Sequence, residues 1–433
     1  MSVYPCKTLS YSDRVARFAR LSIAAAAAAL AVPGLAAAKE RTLTFTTPAI
    51  TVPAYGVKQQ PMFAESPAVD GYVVGMEAEV VDAAGKVQGR DKVMLHHIVF
   101  AKIGAPDYTC GSAAERFFAE GEERLALSLP RGYGYPNKGT DRWGLLYMLM
   151  NHKQHQLKGF IRYTVHYVTG ERLTPVKPVW LDVRNCTGGI DPVFDVPGGG
   201  KRFSTFSKTA DFTMPESGRL ISGGGHLHGG GLRLELRNTT CGTVPFTSRP
   251  TWGGPKPKPL LHEPGPTKMS SFRSIQGIPV AKGQTLRLAA VYEDQAPHTR
   301  VMGIMLLFLA PGAVKGCGLA PALDIDLGRP SAPPPFSMPL PRAPKGPVST
   351  ATSTIVGDFQ YGRERISLRR GTTFTWRFLG QFEHDVTVVG GPEGFSAPWS
   401  LTGVFKHHFT KPGTYRLFCS LHPARMVQQI TVR

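Results

Sequence analysis

The turns limit what this chain can become. Short runs of β-branched and apolar residues recur along it, at 71–81, 93–103, 158–168, 232–237 and 285–292, each bounded by Gly, Pro or Asn. With 48 Gly and 37 Pro, long helices have little room, whereas stacked sheets need that density of reversals. The expected fold class is all-β. One segment reads differently: 113–128, with Glu115, Glu120 and Leu125, carries helix formers and predicts a single helix. A length of 433 residues predicts two or three domains.

Two boundaries are legible. Arg14, Arg17 and Arg20 precede an alanine-rich apolar run, Leu21 to Leu35, that closes on Ala36, Ala37 and Ala38. This is the pattern of a secretory signal peptide, 1–38, cleaved near Ala38, and it is too weakly apolar for a membrane anchor. The mature chain is therefore expected to be periplasmic or secreted, with no membrane insertion after cleavage. Further on, Pro330, Pro333, Pro334, Pro335, Pro339, Pro341, Pro344 and Pro347 crowd into 328–350. Prolines at that density favour a polyproline II spacer of at most about 3.1 Å per residue.

Removing four basic residues and one acidic one with the signal takes the formal charge from +19 to +16. The excess is spread among strands and loops with no nucleic-acid motif beside it, which predicts acidic redox partners or envelope surfaces and no nucleic acid. Cys6 also leaves with the signal. Cys110, Cys186, Cys241 and Cys317 then form an even set that predicts two disulfides in an oxidising compartment, with three connectivities open.

The fifth remaining cysteine sits in KPGTYRLFCSLHPARM, between an alternating run and the closing strand 427–432. A thiolate from Cys419, imidazoles from His384 and His422, and a weak axial thioether from Met426 would make a trigonal soft site suited to copper. The motif and its strand context resemble the plastocyanin-like cupredoxins over 351–433. That resemblance implies a Greek-key β-sandwich holding one blue, type 1 copper for electron transfer. Arg425 beside the axial Met departs from the family pattern.

A second histidine set runs through 40–327. His226 and His228, in GGGHLHGGG, are two apart and so share one face of a strand. Met302, in HTRVMGIMLLFL, adds a soft donor. His96 and His97 are adjacent, so joint ligation needs a bulge or a strand end. His166 follows in RYTVHYV.

In order, the set resembles the copper type II, ascorbate-dependent monooxygenases, the family of peptidylglycine alpha-hydroxylating and dopamine beta-monooxygenases. The resemblance implies two jelly-roll-like β-sandwiches, 39–190 and 191–327, each with one type 2 copper. His96, His97 and His166 would hold the electron-accepting copper, and His226, His228 and Met302 the oxygen-binding one, making these last three the catalytic set. Peptide-hydroxylating members carry an Arg two residues before the His-x-His and a Tyr four after the Met. Here those positions are Gly224 and Leu306, so a peptide carboxylate lacks its partner.

The remaining histidines are assigned no metal. Of His407 and His408, one packs and the other is solvated. His152 and His155 lie in a polar loop, His262 in a Pro-rich one, and His298 is a candidate to support the ligands of the oxygen-binding copper from behind. Two functions stay open. One is a copper oxidoreductase that uses dioxygen to hydroxylate an unknown small substrate, its tethered cupredoxin supplied by a redox protein or by a small reductant such as ascorbate. The other is a non-catalytic envelope protein that carries electrons or buffers copper.

Overall fold

A computed structural model describes residues 39–123, 127–253, 263–328 and 343–433, all within one compact unit, Ala38–Arg433. The segment 1–38 expected to be a signal peptide, His262 and most of the proline-rich stretch, 329–342, lie outside the described residues. Every regular element among the described residues is a strand, as the turn density predicts.

The first sandwich faces two sheets against each other. One runs in the order Lys39–Thr46, Leu157–Thr169, Gly71–Val81, Tyr133–Asn137, Thr174–Pro175, and the other Val57–Ala64, Trp143–Asn151, Val93–Pro106, Ala114–Gly121. Strand alternation makes the core: Ile161, Tyr163, Val165 and Tyr167 point in to join Phe100, Phe117 and Trp143. The predicted helix at 113–128 is instead the strand Ala114–Gly121 and the short strand Leu127–Ser128. Its Ala and Glu residues favour a helix locally. Pairing along Val93–Pro106 and burial of Phe117 and Phe118 override that preference.

The second sandwich sets Lys177–Asp182, Gly303–Pro311, Gly218–Leu227, Ser271–Val280 and Asp324–Asp326 against Thr205–Thr213, Thr285–Glu293, Gly231–Asn238 and Thr243–Ser248. Lys177–Asp182 thus pairs with the second sandwich although it precedes residue 190. Gly303–Pro311 is apolar throughout because it is buried on both faces. Ile304, Leu306 and Phe308 enter the first core, and Met305, Leu307 and Leu309 enter the second.

Two disulfides form, Cys110–Cys186 and Cys241–Cys317. Each closes a loop with a sequence separation of 76, for which chain entropy predicts about 4.5 kcal/mol of stabilisation.

The third unit pairs a sheet of Gln360–Tyr361, Ser353–Gly357, Thr373–His384 and Ser400–His408 with one of Arg365–Leu368, Val427–Val432, Gly413–Phe418 and Thr387–Gly390, around Phe374 and Trp376. It does not hang free from the rest. Thr299 Oγ1 donates to the Val388 carbonyl at 2.7 Å, Gly394 N–H to the Pro197 carbonyl at 2.8 Å, and Ser396 N–H to the Asp195 carboxylate at 2.7 Å. These contacts dock it against the second sandwich.

Candidate metal centre

His384 ends the Thr373–His384 strand after a register shift against Ser400–His408, and Cys419 follows Gly413–Phe418 directly. Tight turns then return the chain. His422 N–H donates to the Cys419 carbonyl at 3.0 Å, Met426 N–H to the His422 carbonyl at 3.0 Å, and Cys419 N–H to the Met426 carbonyl at 3.1 Å. The loop so closed brings three donors together. Cys419 Sγ lies 3.8 Å from His384 Nδ1 and 3.5 Å from His422 Nδ1, and the two Nδ1 atoms are 3.2 Å apart.

Bonds of about 2.0–2.3 Å at trigonal angles put donors roughly 3.5–3.8 Å apart, so the set fits one metal ion. Met426 is fully buried in the same core cluster.

The surroundings orient these ligands. The second ring nitrogen of His384 faces Asp358 Oδ1 at 3.2 Å, which fixes the imidazole so that Nδ1 points at the site. Asp358 in turn accepts N–H bonds from Gln381 and Phe382, and the Gln381 bond holds its carboxyl below the usual range. Burial pushes the Cys419 thiol up and pulls His422 down to about 4, with His384 adding to the latter. Without a cation, the site therefore holds a neutral thiol and a neutral His422 imidazole, and binding expels the thiol proton.

The second histidine set assembles differently from the expectation. The bulge required at His96 is present: Leu95 pairs with Leu149 and His97 with Met148, leaving His96 as the extra residue. The two Nδ1 atoms then lie 3.3 Å apart. His226 and His228 form a second pair, Nε2 to Nε2 3.1 Å. The pairs meet across the two sandwiches, the His96 and His228 rings lying 5.2 Å apart.

Met302 lines one cavity with His96 and His228 and another with His97 and His226. Two sites separated by domain are thus replaced by one composite cluster. It remains two pairs rather than a three-donor set like that around Cys419.

His166 does not join it. It sits on the outward face of Leu157–Thr169, where alternation sends Val165 and Tyr167 into the core and His166 toward Glu40, 3.8 Å away. A first type 2 site of His96, His97 and His166 is therefore not assembled.

Several residues that the sequence did not flag hold the cluster. Glu123 Oε1 lies 2.7 Å from His226 Nδ1. Burial alone would lower His226, and the charge and hydrogen bond of Glu123 together with the charge of Glu122 outweigh it and raise it. Tyr292, fully buried, accepts the His228 N–H at 3.0 Å and donates to the Met302 carbonyl at 2.6 Å, clamping the two donor segments. Met148 and Met150 share the cavity of His96, His228 and Met302. Their spacing of two on a strand was the available signal, the same one that marks His226 and His228.

His298 lies between Glu263 and Glu293, each 2.6 Å away, and its ring packs where a Cβ on Gly230 would fall. It therefore supports the turn after His228. His152 is buried rather than solvated, whereas His155 is exposed. His407 stacks on Phe395, and His408 is exposed.

The two centres share a wall. Phe418, Ser420 and Leu421, flanking Cys419, line the cavity that holds His96, His228 and Met302. Asp385, next to His384 and fully buried, accepts Ser420 N–H at 2.6 Å and faces Arg300 at 3.5 Å. Arg300 lies two residues before Met302, pairs with Asp191, stacks on Trp399 at 4.6 Å, and donates its own N–H to Asp195. Its backbone has a φ of +54°, a left-handed conformation that these contacts must hold in a residue other than glycine.

No protein-family model matches the chain, and no curated protein does. Among solved structures, a point mutant of amicyanin in its oxidized form is 23% identical, covering 19% of this chain and 82% of that one, with a TM-score of 0.18. A purple cupredoxin from Nitrosopumilus maritimus is 23% identical over 19% of this chain and 100% of that one, with a TM-score of 0.16. A second amicyanin mutant, in its reduced state, is 24% identical over 19% and 82%, with a TM-score of 0.18. These neighbours are cupredoxins and cover about a fifth of the chain. The case for a metal at Cys419 rests on the donor triangle itself.

Proposed function

We propose that the chain is an exported copper oxidoreductase. In this reading His384, Cys419, His422 and Met426 hold a type 1 copper, and the cluster of His96, His97, His226, His228 and Met302 holds the copper that meets dioxygen. When bound, copper supplies one-electron transfer at the first centre and reduction of dioxygen at the second. The reading is carried by the Cys419–His384–His422 triangle, with donors 3.2–3.8 Å apart. Oxidising conditions for the two disulfides support export.

The residues divide the work. Asp358 and the Cys419–Met426 turn hold the first donors in place before any ion arrives, which limits rearrangement on electron transfer. Arg300 and Asp385 hold the two centres against one wall. The Met302 thioether offers a soft donor that favours the reduced ion, beside imidazoles that suit either oxidation state. Hydroxylation of a C–H bond by dioxygen gives one alcohol and one water, and it consumes two electrons and two protons. A redox protein or a reductant of the ascorbate class must supply them.

Visible spectroscopy tests the first centre. Copper-loaded protein should show an intense sulfur-to-copper charge-transfer band that Cys419→Ser abolishes. A colourless copper-loaded wild type would sink the assignment.

The outward-facing His166 favours a second reading, in which the N-terminal histidines bind copper without catalysis and the protein carries electrons or buffers copper. Reductant-driven dioxygen consumption by the copper-loaded protein separates the two, since the first reading alone predicts it, and copper counting shows whether the N-terminal histidines bind at all. Loss of His226 and His228 together should remove N-terminal copper and leave the blue band. A wild type that takes up a single copper under excess would favour an electron carrier.

A further inference from the structure

Behind the histidine cluster an apolar passage opens to the surface. An inner chamber of about 50 Å³ is walled by His97, His226, Met302, Ile304 and Leu306. An outer pocket of about 590 Å³, within the usual range for small-molecule sites, is lined by Met62, Phe63, Ile103 and Leu145 among others. Val99, Trp180, Ile190 and Pro192 line both, so the two adjoin. Phe63 and Ile190 are each about two-thirds exposed at the mouth.

We infer that this passage binds an uncharged molecule with an apolar body, which lies with its hydrocarbon end at Met302 and His226. Charge argues for a neutral ligand. The cation that lines the passage among the described residues, Arg116, is ion-paired to Asp107 at 2.8 Å and stacked on Trp180. The inner chamber is flanked by Glu120 and Glu123, which disfavour an anion. Gly224 and Leu306 line the chamber where a carboxylate would need a cationic or hydroxyl partner, and they offer neither.

An unpartnered donor argues that one polar group of the ligand lies in the outer pocket. Arg116 Nη2 is buried there with no hydrogen-bond partner among the described residues. A single hydroxyl on the ligand satisfies Arg116 Nη2 and leaves the alkyl portion to fill the apolar walls.

That the bound molecule is the substrate rests on the oxygenase reading above; that it binds does not. Titration calorimetry on the mature chain, copper-free and copper-loaded, with 1-octanol and octanoate as probes, tests it. Octanol should bind saturably in both forms, and octanoate at least about tenfold more weakly, the equivalent of ~1.4 kcal/mol. Ile190→Trp fills the mouth at an exposed position and should weaken octanol by a similar factor without moving the thermal midpoint. Val99→Trp, deeper in the passage, should do the same.

Equal or tighter binding of octanoate overturns the inference, as does octanol binding that neither variant changes. Octanol binding with no N-terminal copper uptake would retain the site and remove the oxygenase reading instead.

Discussion

Arg300 shows how a single side chain can matter without belonging to any motif. It satisfies Asp191 and approaches the fully buried Asp385, and burial pushes the Asp191 carboxyl up while Arg300 pulls it back. Removing one partner of a buried ion pair leaves an uncompensated charge and costs about 3–5 kcal/mol. Arg300→Gln should therefore destabilise the protein by about that amount in denaturant titration, and should slow air reoxidation of the reduced blue copper. A variant of unchanged stability and rate would show the contact to be incidental.

His166 makes the opposite case: facing Glu40 on the outer surface, it should be replaceable by Ala with no change in copper count. Loss of a copper in His166→Ala would restore it as a ligand. The residues proposed as ligands of the first centre stand out in the sequence because Cys419, His422 and Met426 sit in one loop. Arg300 and Asp385 are far apart in sequence, and nothing local marks either.

Among the elements, strands and turns were readable from composition, but the strand Ala114–Gly121 was not, because its partner on Val93–Pro106 and the burial of Phe117 and Phe118 decide its form. Joint ligation by His96 and His97 needed a bulge or a strand end, since two neighbours on a regular strand cannot face one way, and the Val93–Pro106 strand contains a bulge there. On Ser400–His408 the same alternation packs His407 and solvates His408.

Burial holds His407 down at about 4, with His408 contributing, against an ordinary value of 6.5. The unfolded chain therefore takes up the proton first. The resulting stability is full above pH 6.5, falls as pH drops toward 4, and is lost below it, by at most ~3 kcal/mol. His407→Gln should flatten that part of the stability profile relative to wild type, measured as unfolding midpoints between about pH 7 and 4. Parallel profiles would assign the acid sensitivity elsewhere.

At the scale of the molecule, the third unit is docked, where proline density in 328–350 suggested a tethered one. Hydrogen bonds from Thr299, Gly394 and Ser396 fix its orientation, and none of these could be read from spacing. The same holds for the assembly of four imidazoles across two sandwiches, a product of how the sheets face each other.

One consequence concerns how the chain is made. The core of the first sandwich is completed by Ile304, Leu306 and Phe308, on a strand more than 100 residues downstream of its own last strand, Thr174–Pro175. During synthesis the first half emerges with that apolar surface uncovered. At about 5–20 residues per second, it stays so for several seconds or longer, an interval in which an exported chain held unfolded until translocation is complete would avoid premature aggregation.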